Sequence, residues 1–232
     1  MSALQVLIAQ SVGVLMMFTL AGILFRRRAH LCWSFVAYLL AALTYNALVT
    51  VWPDTFYTQG FWMIMHGLFD ALRVAIAVEL GFRTFQAFPR AQATARRLLF
   101  ILLSGTCVAL ISIPLAATYN QVVFDWQPRV LTGTIWIMNG LALLITWYRV
   151  PVHPYHKAIL LGFVPYLLIF TTLLSLTKQW GWGFFGPYLQ AADPVAFMLL
   201  TAFWGLSAWR KDTQPDASPA LVRLLQPWRV GA

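Results

Sequence analysis

The stretch FWMIMHGLFDALRVAIAVELGF, residues 61–82, decides how this chain is read. Its length and apolar content suit a helix that crosses a hydrocarbon core of ~30 Å. Yet Asp70 and Arg73 lie within about two residues of its midpoint, at ~1.5 Å rise per residue, and so at the middle of the membrane. Each would cost roughly 2.5–3.5 kcal/mol if it faced lipid. Both should therefore face a protein interior. At ~100° per residue His66, Asp70 and Arg73 fall within about 60° of one another, while Glu79 points to the opposite side. His66, Asp70 and Arg73 thus form one polar stripe, and Glu79 pairs separately with Arg83 at i,i+4.

The rest of the chain supports a membrane setting. Of 232 residues, 60% are hydrophobic and only 10% charged, more apolar surface than one soluble globule can hide. Long continuous apolar runs exclude a strand barrel, which would alternate over ~10-residue segments. Seven spans are expected, at 6–25, 31–52, 61–82, 98–118, 130–147, 158–177 and 194–209, the last the shortest. The fold class is all-α, a polytopic seven-transmembrane-helix bundle. Residues 1–209 form the membrane domain and 210–232 a short basic tail. The first run has no signal-cleavage site and ends on Arg26, Arg27 and Arg28, as a retained span does. No internal repeat relates the first three spans to the last three.

Charge gives the orientation. Thirteen of the sixteen basic residues fall on one side, Arg129 and Lys178 fall on the other, and Arg73 is within a span. The positive-inside rule then puts the amino end outside and the carboxyl end in the cytoplasm, in the inner (plasma) membrane. The net charge of +9 calls for no nucleic acid; anionic lipid at the cytoplasmic face accounts for it. Segment 178–193, KQWGWGFFGPYLQAAD, is an outer connection whose aromatic residues suit the interface or a lid over an outward cavity. Cys32 and Cys107 sit at different depths and should not pair.

Polar residues at similar depth define a candidate ligand-binding or polar core: His66, Asp70, Arg73, Asn46, Asn139 and Tyr166, with Tyr45 and Thr201 nearby. The Asp70–Arg73 pair reads either as glue between helices or as a site. No cofactor and no metal is expected. The seventh span has no lysine for a retinal Schiff base, and His66 alone lies inside a span, too few for bis-histidine haem. His153 and His156 in VPVHPYHK have no third ligand beside them and read as a basic interfacial loop. Neither a nucleophile elbow nor a phosphate loop occurs, so no enzyme activity is expected.

Seven spans, an outside amino end and a third span continuing as VELGFRTFQAFPRAQATARR, residues 78–97, resemble the seven-helix input modules of some bacterial signalling proteins. They also resemble small stand-alone bacterial seven-helix membrane proteins. That resemblance implies a non-enzymatic ligand-sensing or accessory subunit acting through a membrane protein partner, or through a homo-oligomer. It brings no site residues. The seven-helix sugar carriers have prolines in their first two spans, which this chain lacks. A small solute or ion transporter using Asp70, and a structural subunit of a larger membrane complex, are the alternative readings.

Overall fold

The computed structural model describes residues 3–85, 97, 101, 104, 121–147, 150 and 152–211. Among these, all regular structure is helical. The α-helices are α1 (Ala3–Phe25), α2 (Trp33–Val51), the single turn α3 (Pro53–Phe56), α4 (Gln59–Phe85), α5 (Gln127–Trp147), α6 (Pro154–Trp180) and α7 (Trp182–Trp209). A π-helical turn, Val122–Trp126, leads into α5. Six of these helices are long and apolar enough to cross a membrane, so the chain is a membrane protein. The fourth expected span, 98–118, and Cys107 fall outside the described residues except for Ile101 and Ser104, and so does the tail from 212 onward.

Each long helix packs against its chain neighbour, and α1 also packs on α7, closing the six into a ring. The ring is mostly apolar, inside and out. Leu24, Ile64, Trp136, Leu143, Leu199 and Leu206 are among the exposed outer residues, as expected of helices bathed in hydrocarbon rather than water. Exposed Trp33, Trp52, Trp147, Trp180 and Trp182 mark helix ends, where interfacial aromatic residues are expected in a membrane protein.

Inside, Phe35 and Tyr38 of α2, Phe163 of α6 and Trp204 of α7 meet edge to face or tilted, with ring centroids 4.6–6.4 Å apart. Small residues bring the backbones close. A β-carbon on Gly205 would stand 3.0 Å from Phe18 and 3.2 Å from the Thr19 hydroxyl, so α7 can lie directly on α1.

The segment expected to connect the last two spans is helical. Gly181, at φ 88, makes the break between α6 and α7 in a backbone region that glycine enters without strain. Trp182, Phe184, Phe185 and Tyr188 then belong to the opening turns of α7, which at 28 residues is the longest described helix, not the shortest. Pro187 and Pro194 lie within it. Proline is a poor end marker in membranes, where neighbouring helices can re-satisfy the carbonyl it leaves free.

One end of the ring is tied by charged groups. Glu79 of α4 accepts from the backbone N–H groups of Trp33 and Ser34, at 3.1 and 2.9 Å, and from the Ser34 hydroxyl at 2.8 Å. It thereby caps the orphan amides that open α2. Arg83 holds the same carboxylate at 2.9 Å and donates to the His30 carbonyl at 2.6 Å. Arg26 and Arg28 donate to the carbonyls of Ser207, Ala208, Trp209 and Arg210, closing the C-terminus of α7. Cys32 is a buried free thiol; burial, and then the neighbouring Glu79 carboxylate, push it above the ordinary thiol range. His153 caps α6 through the Tyr155 amide at 3.1 Å, and the His156 ring meets the Leu31 carbonyl at 2.9 Å. Both histidines are thus engaged in holding helix ends.

Candidate functional site

Arg73 stands where α2, α4, α6 and α7 face one another. Its Nη1 donates to Asp70 Oδ1 at 2.7 Å, and the two side chains are only 3% and 7% exposed. The i,i+3 spacing on α4 sets this geometry, and the buried run Phe69, Asp70, Arg73, Val74, Ile76, Ala77 and Leu80 turns it inward. Three rings surround the guanidinium: Tyr38 of α2 at 5.8 Å, and Tyr166 and Phe170 of α6 at 6.0 Å each. Such cation–π contacts replace part of the hydration that the charge has lost.

A second carboxylate completes the cluster. Tyr166 donates its hydroxyl to Asp193 Oδ1 at 3.0 Å, and Asp193 lies in the electrostatic field of Arg73. Asp193 belongs to the inward stripe of α7, in register with buried Gly186, Leu189, Leu200, Trp204 and Ala208. On the other flank Gln127, the first residue of α5 and 5% exposed, lies beside Asp70 and meets His66 Nδ1 at 3.4 Å. His66 stacks on Trp62, with ring centroids 3.8 Å apart, and meets the edges of Tyr45 and Phe69. Among the described residues, two buried atoms of the cluster have no hydrogen-bond partner, Arg73 Nε and Gln127 Oε1.

Of the residues selected from sequence, His66, Asp70, Arg73 and Tyr166 come together. Asn46 does not join them: its Nδ2 donates to the Ala9 carbonyl at 2.8 Å and ties α2 to α1. Thr201 bonds back to carbonyls of its own helix at 2.9 Å, and its carbonyl accepts from Thr19 at 3.3 Å. Asn139 lies on the exposed face of α5, beside Ala142, Leu143, Thr146 and Trp147. The inward face of α5 is set by Leu131, Thr134, Ile135, Met138, Leu141 and Ile145, and Asn139 sits ~100° round from Met138.

Tyr38, Gln127 and Asp193 were missed. Asp193 precedes Pro194 and reads as a helix boundary, and Gln127 lies just ahead of Arg129, which reads as the outer edge of a span. The signal that could have found Asp193 is its four- and seven-residue spacing from Leu189, Phe197 and Leu200. Comparison with protein-family models, with curated proteins and with solved structures gave no match.

Proposed function

We propose that this chain is a non-enzymatic membrane module of seven spans, a ligand-sensing or accessory subunit that passes its state to a separate protein partner. The observation that carries this reading is the position of Arg73, paired with Asp70 on its own helix and set beside Tyr166 of α6, whose hydroxyl bonds Asp193 of α7. An i,i+3 pair alone is sufficient glue. A second carboxylate across the bundle gives the guanidinium two alternative partners, and exchange between them would shift α4 against α7. Two packings of unequal ligand affinity are what a sensor needs.

Support for the seventh span comes from helix direction. Glu79 and Arg83 of α4 lie at the end where α1 finishes, whereas Gln127 at the start of α5 meets His66 near the start of α4. Consecutive helices α4 and α5 thus run parallel, which a further crossing between them would explain. With the basic residues, this favours an amino end outside, a cytoplasmic tail and anionic lipid at the inner face of the plasma membrane.

The same carboxylates favour a second reading, a transporter in which Asp70 binds and releases a proton or cation. Two measurements on the full chain separate the readings: recovery of co-purified protein from native membranes, and ion flux in reconstituted vesicles. A sensor predicts altered partner recovery in Asp70→Asn and no flux. Flux through the unmodified protein that Asp70→Asn abolishes, with partner recovery unchanged, overturns the sensor reading.

A further inference from the structure

We infer that the outer face of α5 is the surface on which two copies of this chain pair, helix against helix, through Asn139. This interface goes beyond the sensing reading and does not depend on it. Thr132, Trp136, Asn139, Leu143 and Thr146 are all exposed and follow one another at intervals of four, three, four and three residues. That is the seven-residue repeat of a helix seam, the spacing that keeps one face of a helix against a partner helix. A face that meets only lipid has no use for polar groups. This one carries the Asn139 amide near the middle of α5, and among the described residues no hydrogen bond engages it. Trp136, 71% exposed, also lies near the middle of the helix rather than at an end, where tryptophan anchors usually sit. An amide in hydrocarbon needs a partner, and a neighbouring helix can supply one.

Orientation selects a second copy as that neighbour. All copies enter the membrane the same way round, so α5 meets another α5 in parallel, and a two-fold axis sets each residue opposite its own copy. Asparagine both donates and accepts, and so complements itself across the axis. In a parallel seam Asn139 enters a hole made by Trp136, Asn139, Gly140 and Leu143 of the other helix. Gly140, with no described residue within 4 Å, leaves that hole open for the amide, and Gly133, one repeat earlier, does the same for Thr132. Charge fits as well. Arg129, at the start of the seam, is exposed, and four residues before it Asp125, held by Lys178 through Oδ1 at 2.7 Å, has a side chain 42% exposed. Each copy thus offers the other both signs of charge. Toward the far end of α5 the face continues as an open groove lined by Asn139, Ala142, Leu143, Thr146 and Trp147.

Two measurements on the full chain in lipid vesicles test this: oxidative cross-linking of single cysteines in a background lacking Cys32 and Cys107, and energy transfer between labelled copies as the lipid is diluted. Thr132→Cys and Thr146→Cys should give covalent dimers, whereas Leu199→Cys, exposed on α7, should not. Asn139→Leu should leave the fold intact and weaken association about tenfold, the effect of losing one reciprocal interhelical hydrogen bond. Gly140→Leu should weaken it too, since a side chain larger than alanine fills the hole. Dimers formed as readily from Leu199→Cys as from the seam positions would mean chance collision and would overturn pairing through α5. Association that Asn139→Leu leaves unchanged would overturn the role of the amide. Monomers at every dilution would overturn the interface outright. A seam cysteine that joins a restored Cys107 within one chain would do the same, because residues 98–118 of that chain would then hold the face in place of a second copy.

Discussion

Gly162 of α6 presses its bare Cα against Trp204 of α7: a β-carbon at 162 would stand 2.5 Å from the indole Nε1 and 2.6 Å from Leu200 Cδ1. Trp204 is fully buried and anchored by Phe35 and Phe163, so it has little room to yield. Gly162→Ala should therefore destabilise the bundle by about 1–3 kcal/mol, as overpacking does. Gly140→Ala, where no described residue lies within 4 Å, should gain about 0.5–1 kcal/mol from helix propensity. Melting of the two variants in the same detergent checks the contrast.

Removing one partner of a buried ion pair typically costs about 3–5 kcal/mol. Arg73→Ala should lose that much, whereas Asp70→Ala should lose less, because Asp193 remains as a counter-ion. The double variant should recover part of the Arg73→Ala loss. Acid should also narrow the Arg73→Ala deficit, since carboxylates left without a cation become neutral on protonation. Equal damage from the two single variants would show that Asp193 gives Arg73 no support.

Glu79 accepts three hydrogen bonds at the start of α2 and also holds Arg83. Glu79→Ala leaves the Trp33 and Ser34 amides without this acceptor, at a cost of about 1–3 kcal/mol. Faster hydrogen exchange should be confined at first to the opening turn of α2. Unchanged protection there would mean that water replaces the carboxylate at no cost.

Arg28 binds the closing carbonyls of α7 from the turn after α1. Arg28→Ala should fray residues 205–210, visible as hydrogen exchange at the last turn of α7, and Arg28→Lys should rescue it only partly because lysine lacks the planar fork. Arg27, at φ 53, occupies a left-handed backbone position. Arg27→Gly should accordingly be neutral or stabilising.

Single cysteines introduced at Tyr57 and Phe184, in a background lacking Cys32 and Cys107, should react with an impermeant label from outside. Those introduced at Gln92 and Gln214 should react only after the membrane is opened. The reverse pattern would invert the proposed orientation. In the native chain Cys32 itself should label poorly, since it is 3% exposed and its thiol is pushed above the ordinary range.

Hydrophobic length and the position of charge were legible in the sequence, because the bilayer acts on each span separately. A run of apolar residues must be a helix there whatever its neighbours do, so residues 61–82 could be read as a span holding an inward Asp70 and Arg73, with Glu79 and Arg83 paired apart from them. Which polar residues meet is different, since it depends on the rotation and neighbours of every helix at once. Asn139 turns outward, Asn46 is claimed by α1, and Asp193 was hidden by the proline after it although its helix runs on. Only the packing of α2, α4, α6 and α7 around one guanidinium brings Asp193 and Tyr166 to Arg73, because tertiary contacts, not spacing along the chain, decide which buried charge has a second partner.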